Sequence, residues 1–178
     1  MLTPVPDTTE DRTLILLRHA KAGPDGDTDF DRVLAKRGHA DAAAVGKWFV
    51  EADHTFGLVV CSSSARTRET WADLAAAGVV AAEARYDDRV YDASVDDLLD
   101  VLAEVPLGVM SVLVVGHAPS IPELAEMLAD PETSDAEALL TMRRTFPTSC
   151  FAVLAVHFGW TELAEHAAEL TEVAAPRG

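Results

Sequence analysis

Four apolar runs of strand length, TLILLR (13–18), GLVVCS (57–62), SVLVVG (111–116) and CFAVLAVHF (150–158), punctuate this chain, each ended by polar residues or glycine. Their near-continuous hydrophobicity fits strands buried on both faces, as in a sheet covered by helices. Between them, KRGHADAAAVGKWFVEAD, SARTRETWADLAAAG, SVDDLLDVLAEV and SIPELAEMLAD carry apolar residues at helical spacing. The alternation predicts an α/β fold, a three-layer α/β/α sandwich on a mostly parallel central sheet. A chain of 178 residues suits a single domain, with residues 1–11 and 175–178 read as loose ends. ARYDDRVY (84–91) suggests a short edge strand, and AAELTEVAAP (167–176) a last strand or a fraying helix. Ser94 with Asp97 predicts a capping box, and Ser120 ahead of Pro122 and Glu123 predicts an N-cap.

In such sheets ligands bind beyond the carboxyl ends of the strands. Arg18 and His19 follow the first run, Arg66 the second, and Gly116 and His117 the third. Three strand ends thus deliver two guanidiniums and two imidazoles to one crevice. The planar arginine fork matches phosphate oxygens with paired hydrogen bonds, so the expected ligand is a tetrahedral dianion. A neighbouring arginine disfavours protonation of histidine, which leaves His19 neutral and nucleophilic.

Acidic residues number 30 against 14 basic ones, a formal charge of −16. That field repels polyanions, so an extended nucleic-acid surface is excluded and an anionic substrate must be held by a local cluster. The sequence offers no membrane-spanning run and no signal-peptide pattern, and a cytoplasmic protein is expected. Cys61 and Cys150 lack metal-ligand spacing and are expected to be buried thiols. DGDTDFDR places Asp25, Asp27, Asp29 and Asp31 at alternate positions, but Phe30 and Lys36 stand where a calcium loop needs glycine and glutamate. The stretch reads as a solvated loop.

LLRHAKA, SSSARTRET and VGHAPSIPELAEML resemble the three signature segments of the histidine phosphatase superfamily. DFDRVLAKRGHADA, VYDASVDDLL and FPTSCFAVLAV followed by Trp160 resemble its small SixA-type phosphohistidine phosphatases. The resemblance implies a phosphoglycerate mutase-like fold and a phosphatase that works without metal or other cofactor. It makes His19 the residue phosphorylated during turnover and Arg18, Arg66 and His117 the phosphoryl pocket, with Arg32 at the substrate rim. Ser62 and Thr70 share the spacing of the second segment. Ala20, Ser63 and Ala118 depart from common family residues without removing a charged pocket group. Fixed cationic donors suit the reaction because charge spreads over the equatorial oxygens as phosphorus becomes five-coordinate.

Larger members supply a carboxylate general acid, and here only Tyr91, Asp92 and Glu83 are candidates. A phosphoramidate needs no strong acid, since an imidazole leaving group can carry its own proton. The short segments between motifs leave an open pocket. Both features favour a phosphorylated protein partner, such as a histidine phosphotransfer domain, over a small phosphoester. A non-catalytic phosphate-binding module is the third reading. Lys21 either lends charge to the pocket or points to water. Arg68, two residues beyond Arg66 on a helix, is expected to face away.

Overall fold

The computed structural model describes residues 11–178. Its strands are β1 (Arg12–Arg18), β2 (Phe56–Ser62), β3 (Ala81–Asp87), β4 (Ser111–Gly116), β5 (Phe151–Val156) and β6 (Ala168–Ala174). The helices are α1 (Lys36–Glu51), α2 (Ala65–Ala76), α3 (Val95–Ala103), α4 (Ser120–Leu128) and α5 (Ala136–Arg144). One sheet runs in the order β3-β2-β4-β1-β5-β6. Its β3, β2, β4 and β1 pair in parallel, whereas β5 is antiparallel to both β1 and β6. Every strand except β5 therefore points the same way.

Alternation along the strands builds two cores. Leu14, Leu16, Leu58, Val60, Val112 and Val114 pack against α3, α4 and α5. Ile15, Leu17, Val59, Cys61, Leu113 and Val115 pack against α1 and α2. Both sides of the central strands are thus dry, which is why these runs are hydrophobic throughout rather than alternating. The result is the expected sandwich, with the two thiols buried and free.

Ser94 and Asp97 form the predicted capping box at the start of α3. Ser120 does not cap α4. Pro119 holds the N-cap position with φ −85° and ψ −17°, already helical, so the serine falls inside the helix and its hydroxyl donates to the His117 carbonyl at 3.3 Å. Helix α5 carries no signal that the alternation of the other elements would reveal. It is short, it buries only Ala138, Leu139 and Met142, and its cap is Asp135 within an acidic turn. The 167–176 stretch resolves as the strand β6.

At the C-terminal end, read as loose, Arg177 Nη1 donates to Asp41 Oδ2 at 3.0 Å and to the Thr148 carbonyl at 2.9 Å. A buried carboxylate draws the cation in, because Asp41 is only 1% exposed. Of the opposite end, residues 1–10 lie outside the described residues. Asp11 accepts a hydrogen bond from His157 Nδ1 at 2.7 Å. No helix among the described residues is long and apolar enough to cross a membrane.

Candidate active site

Strand register does most of the assembly. Because β1 and β4 are parallel with Arg18 opposite Gly116, the next residues, His19 and His117, leave the sheet side by side. The His19 amide extends the ladder by donating to the Gly116 carbonyl at 2.9 Å. The two ring centroids stand 5.2 Å apart. Gly116 makes room for α4: a Cβ there would lie 2.9 Å from Ile121 Cδ1 and Cγ1, so the buried Ile121 side chain or the helix behind it would have to shift.

The Arg18–Lys21 turn is pinned from two directions. Gly38 of α1 lets the helix backbone press on it, since a Cβ at Gly38 would strike the Lys21 carbonyl oxygen. From α2, Thr70 Oγ1 accepts from the Ala20 amide at 3.0 Å while donating to the Arg66 carbonyl at 2.7 Å. One hydroxyl thus ties the helix that carries Arg66 to the residue after His19.

Arg18, His19, Lys21, Arg32, Arg66 and Thr148 line one cavity of about 200 Å³, with Ala22. Larger hollows exist, including one of about 370 Å³ among Glu123, Glu126, Glu165, Arg143 and His166, but its predominantly acidic lining repels an anion. Lys21 is exposed and borders the cavity. Arg32 stands at its edge, its Nε donating to the Gly23 carbonyl at 3.0 Å. Arg68 is absent from the lining and stacks on Tyr86, its guanidinium carbon 4.6 Å from the ring centre. Among the described residues no group of His, Cys, Asp or Glu side chains is arranged to hold a metal ion.

His19 Nδ1 lies 2.7 Å from the Ala20 carbonyl oxygen. A carbonyl can only accept, so Nδ1 carries the proton and Nε2 keeps its lone pair. Burial first, then the guanidiniums of Arg66, Arg18 and Arg32, depress His19 to about 4, against the pull of the Ala20 carbonyl. Burial, with His19, Arg66 and Arg18 nearby, takes His117 down to about 3. Both rings are neutral near pH 7. His117 Nε2 is 2.9 Å from Ser62 Oγ, a buried hydroxyl at the end of β2.

The acid candidates separate cleanly. Glu83 is exposed on β3 opposite Leu58, four positions before the strand end at Asp87, or about 13 Å from it. Asp92 is exposed, in a left-handed conformation with φ 53°. Tyr91 is at the site, its ring edge-on to His117 with centroids 5.5 Å apart. Its hydroxyl donates at 2.9 Å to Asp29 Oδ2, a residue of the segment that reads from sequence as a solvated loop. Asp29 also accepts from Arg66 through both its carbonyl (2.6 Å) and Oδ2 (3.0 Å), and from Arg32 Nη1 through Oδ1 (3.1 Å). Alternate acids in a loop carry no signal for which of them turns inward; the position of Asp29 three residues before Arg32 is the available hint.

The sequence pattern of the family described as "Histidine phosphatase superfamily (branch 1)" matches residues 14–106. The chain belongs to the histidine phosphatase superfamily. The matched stretch of this histidine phosphatase holds Arg18, His19, Arg32 and Arg66 and stops short of His117. Relatives extend the likeness: Rv1276c of Mycobacterium tuberculosis is 37% identical over 162 residues, covering 90% of this chain and 100% of the relative. Among solved structures, the Nakamurella multipartitia protein assigned as the phosphohistidine phosphatase SixA is 38% identical with a TM-score of 0.83, covering 93% of this chain and 96% of its own. Its Agrobacterium tumefaciens counterpart is 28% identical with a TM-score of 0.74, covering 93% and 99%. This histidine phosphatase is therefore of the SixA type, and the activity of its class is removal of phosphoryl groups.

Proposed function

We propose that the chain is a metal-independent phosphohistidine phosphatase, acting on a phosphorylated protein through a phosphoryl intermediate on His19. The hydrogen bond from His19 Nδ1 to the Ala20 carbonyl carries this reading, because it fixes the tautomer in which Nε2 is a free nucleophile. In the proposed first step the Nε2 lone pair attacks phosphorus as the bond to the leaving group breaks. Arg18 and Arg66 neutralise the equatorial oxygens, and a Ser62 hydroxyl donating to His117 Nε2 leaves that ring a proton on Nδ1 to share with the phosphoryl group. Water then takes the phosphoryl group from His19 and restores the free ring.

The likeness to proteins assigned as SixA supports a phosphohistidine substrate. So does the state of the carboxylate at the site, since Asp29 is held ionised at about 2 by its hydrogen bonds to Tyr91, Arg66 and Arg32, and no Asp or Glu among the described residues lines the cavity. A protein carrying phosphohistidine, such as a histidine phosphotransfer domain, should lose inorganic phosphate on incubation with the enzyme in EDTA. His19→Ala should abolish release, and undiminished release by that variant would reject the scheme.

A further inference from the structure

The Asp29 carboxylate is bonded to two of the arginines that line a cavity suited to an anion, a place where electrostatics alone would disfavour a carboxylate. Ionised, it has about four acceptor positions. Among the described residues three are filled: Arg66 Nη2 and Tyr91 Oη on Oδ2, and Arg32 Nη1 on Oδ1. One acceptor position on Oδ1 remains, and the side chain is 56% exposed, so an incoming group can reach it. Beside it, Phe30 and Tyr91 meet edge-to-face with centroids 4.9 Å apart.

Arg66 is not consumed by this arrangement. Asp29 accepts one hydrogen bond from each terminal nitrogen, while Arg66 Nε makes no hydrogen bond among the described residues. The Nε edge of the fork is left for a phosphoryl oxygen. Asp29 thus takes the terminal nitrogens of Arg66 and an Arg32 terminal nitrogen, both arginines lining the cavity, while its own side chain stays exposed beside them.

We propose that Asp29 sets the leaving-group preference of this site, accepting a hydrogen bond from the protonated second nitrogen of a phosphoimidazole ring. The inference rests on the phosphohistidine reading above and names the residue that would read the ring. In the transfer, the breaking P–N bond leaves its electron pair on the departing ring nitrogen while His19 Nε2 forms the new P–N bond. The proton on the ring's other nitrogen stays there, so a cationic ring leaves as neutral imidazole. Water then forms a P–O bond as the second P–N pair returns to His19, and the product is dihydrogen phosphate. Asp29 favours the cationic ring over the neutral one, and it repels leaving groups that bear negative charge.

Phosphoimidazole and p-nitrophenyl phosphate separate this role from support of Arg66. Asp29→Asn keeps an oxygen for Arg66 and Tyr91 but loses the charge. It should lower kcat/KM for phosphoimidazole at least about tenfold more than for p-nitrophenyl phosphate, the scale of a charge-assisted hydrogen bond, with tungstate binding retained. Equal losses on both substrates, no loss on either, or loss of tungstate binding would overturn the proposal and make Asp29 a strut or a bystander. A wild-type enzyme that hydrolyses p-nitrophenyl phosphate but not phosphoimidazole would instead overturn the phosphohistidine reading itself.

Discussion

The rings of His19 and His117 stand 5.2 Å apart, at the ends of adjacent parallel strands. Burial first, and then the repulsion that imidazolium ions at that separation would meet from each other and from the arginines around them, keeps both rings neutral in the fold. Unfolding releases them to titrate normally, near 6.5, whereas in the fold His19 titrates at about 4 and His117 at about 3. Between those values the unfolded chain binds protons that the folded one refuses. Stability contributed by these rings is therefore intact above pH 6.5 and falls as pH drops toward 4 and 3. Urea midpoints at pH 7 and pH 4.5 test this. The fall between them should shrink in His117→Asn, and an unchanged fall would show that the ring does not resist protonation.

Ser62 should matter to turnover more than to anion binding. Its hydroxyl is the hydrogen-bond partner of His117 Nε2 and is itself buried. Ser62→Ala leaves that nitrogen without a partner and frees the ring to change tautomer. A loss of roughly tenfold in kcat is expected from one hydrogen bond of this kind, with a smaller change in tungstate affinity. Nitrogen-15 shifts of the His117 ring should move in the variant. Unaltered shifts together with unaltered kcat would remove Ser62 from the machinery.

The residues whose positions are legible in the sequence are those placed by periodicity. A buried strand must end somewhere, and the residues just past its end emerge at a fixed edge of the sheet, so His19, Arg66 and His117 can be assigned to one crevice without any distance. Asp29 cannot. It belongs to a turn-rich segment that holds Asp25, Asp27 and Asp31 as well, and only the tertiary approach of Arg66 and Tyr91 distinguishes it. Tyr91 comes directly after a short 3-10 turn beyond β3, so strand and helix patterns say nothing of its direction. Arg177 gives a third instance: a tail of small residues reads as free because its partner, Asp41, lies far away in sequence on α1.

Thr70 carries a prediction about stability. It is 1% exposed and supplies the Ala20 amide with its acceptor. Thr70→Val conserves shape but leaves that buried N–H unpaired, which costs about 1–3 kcal/mol. Thr70→Ser keeps the hydroxyl and should recover most of the loss in a urea titration. If the valine variant unfolds with the wild type while the serine variant is weakened, packing of the methyl group rather than the hydrogen bond holds the turn.

Gly116 offers the most local test of how α4 sets the position of His117. An added methyl would stand 2.9 Å from two Ile121 side-chain carbons and 3.4 Å from Val90 Cγ1, and Ile121 is fully buried, so we expect the strain to pass through Ile121 to the helix. Overpacking of this kind costs about 1–3 kcal/mol. The Ile121 amide donates to the His117 carbonyl at 2.9 Å, so any shift of α4 is passed to the imidazole and should lower kcat as well. Because one offending atom is Ile121 Cδ1, trimming that residue to valine removes part of the clash. Gly116→Ala with Ile121→Val should therefore be more stable than the sum of the single changes, a coupling readable in a double-mutant cycle. Additive losses would mean that the sheet, not the helix, absorbs the methyl group.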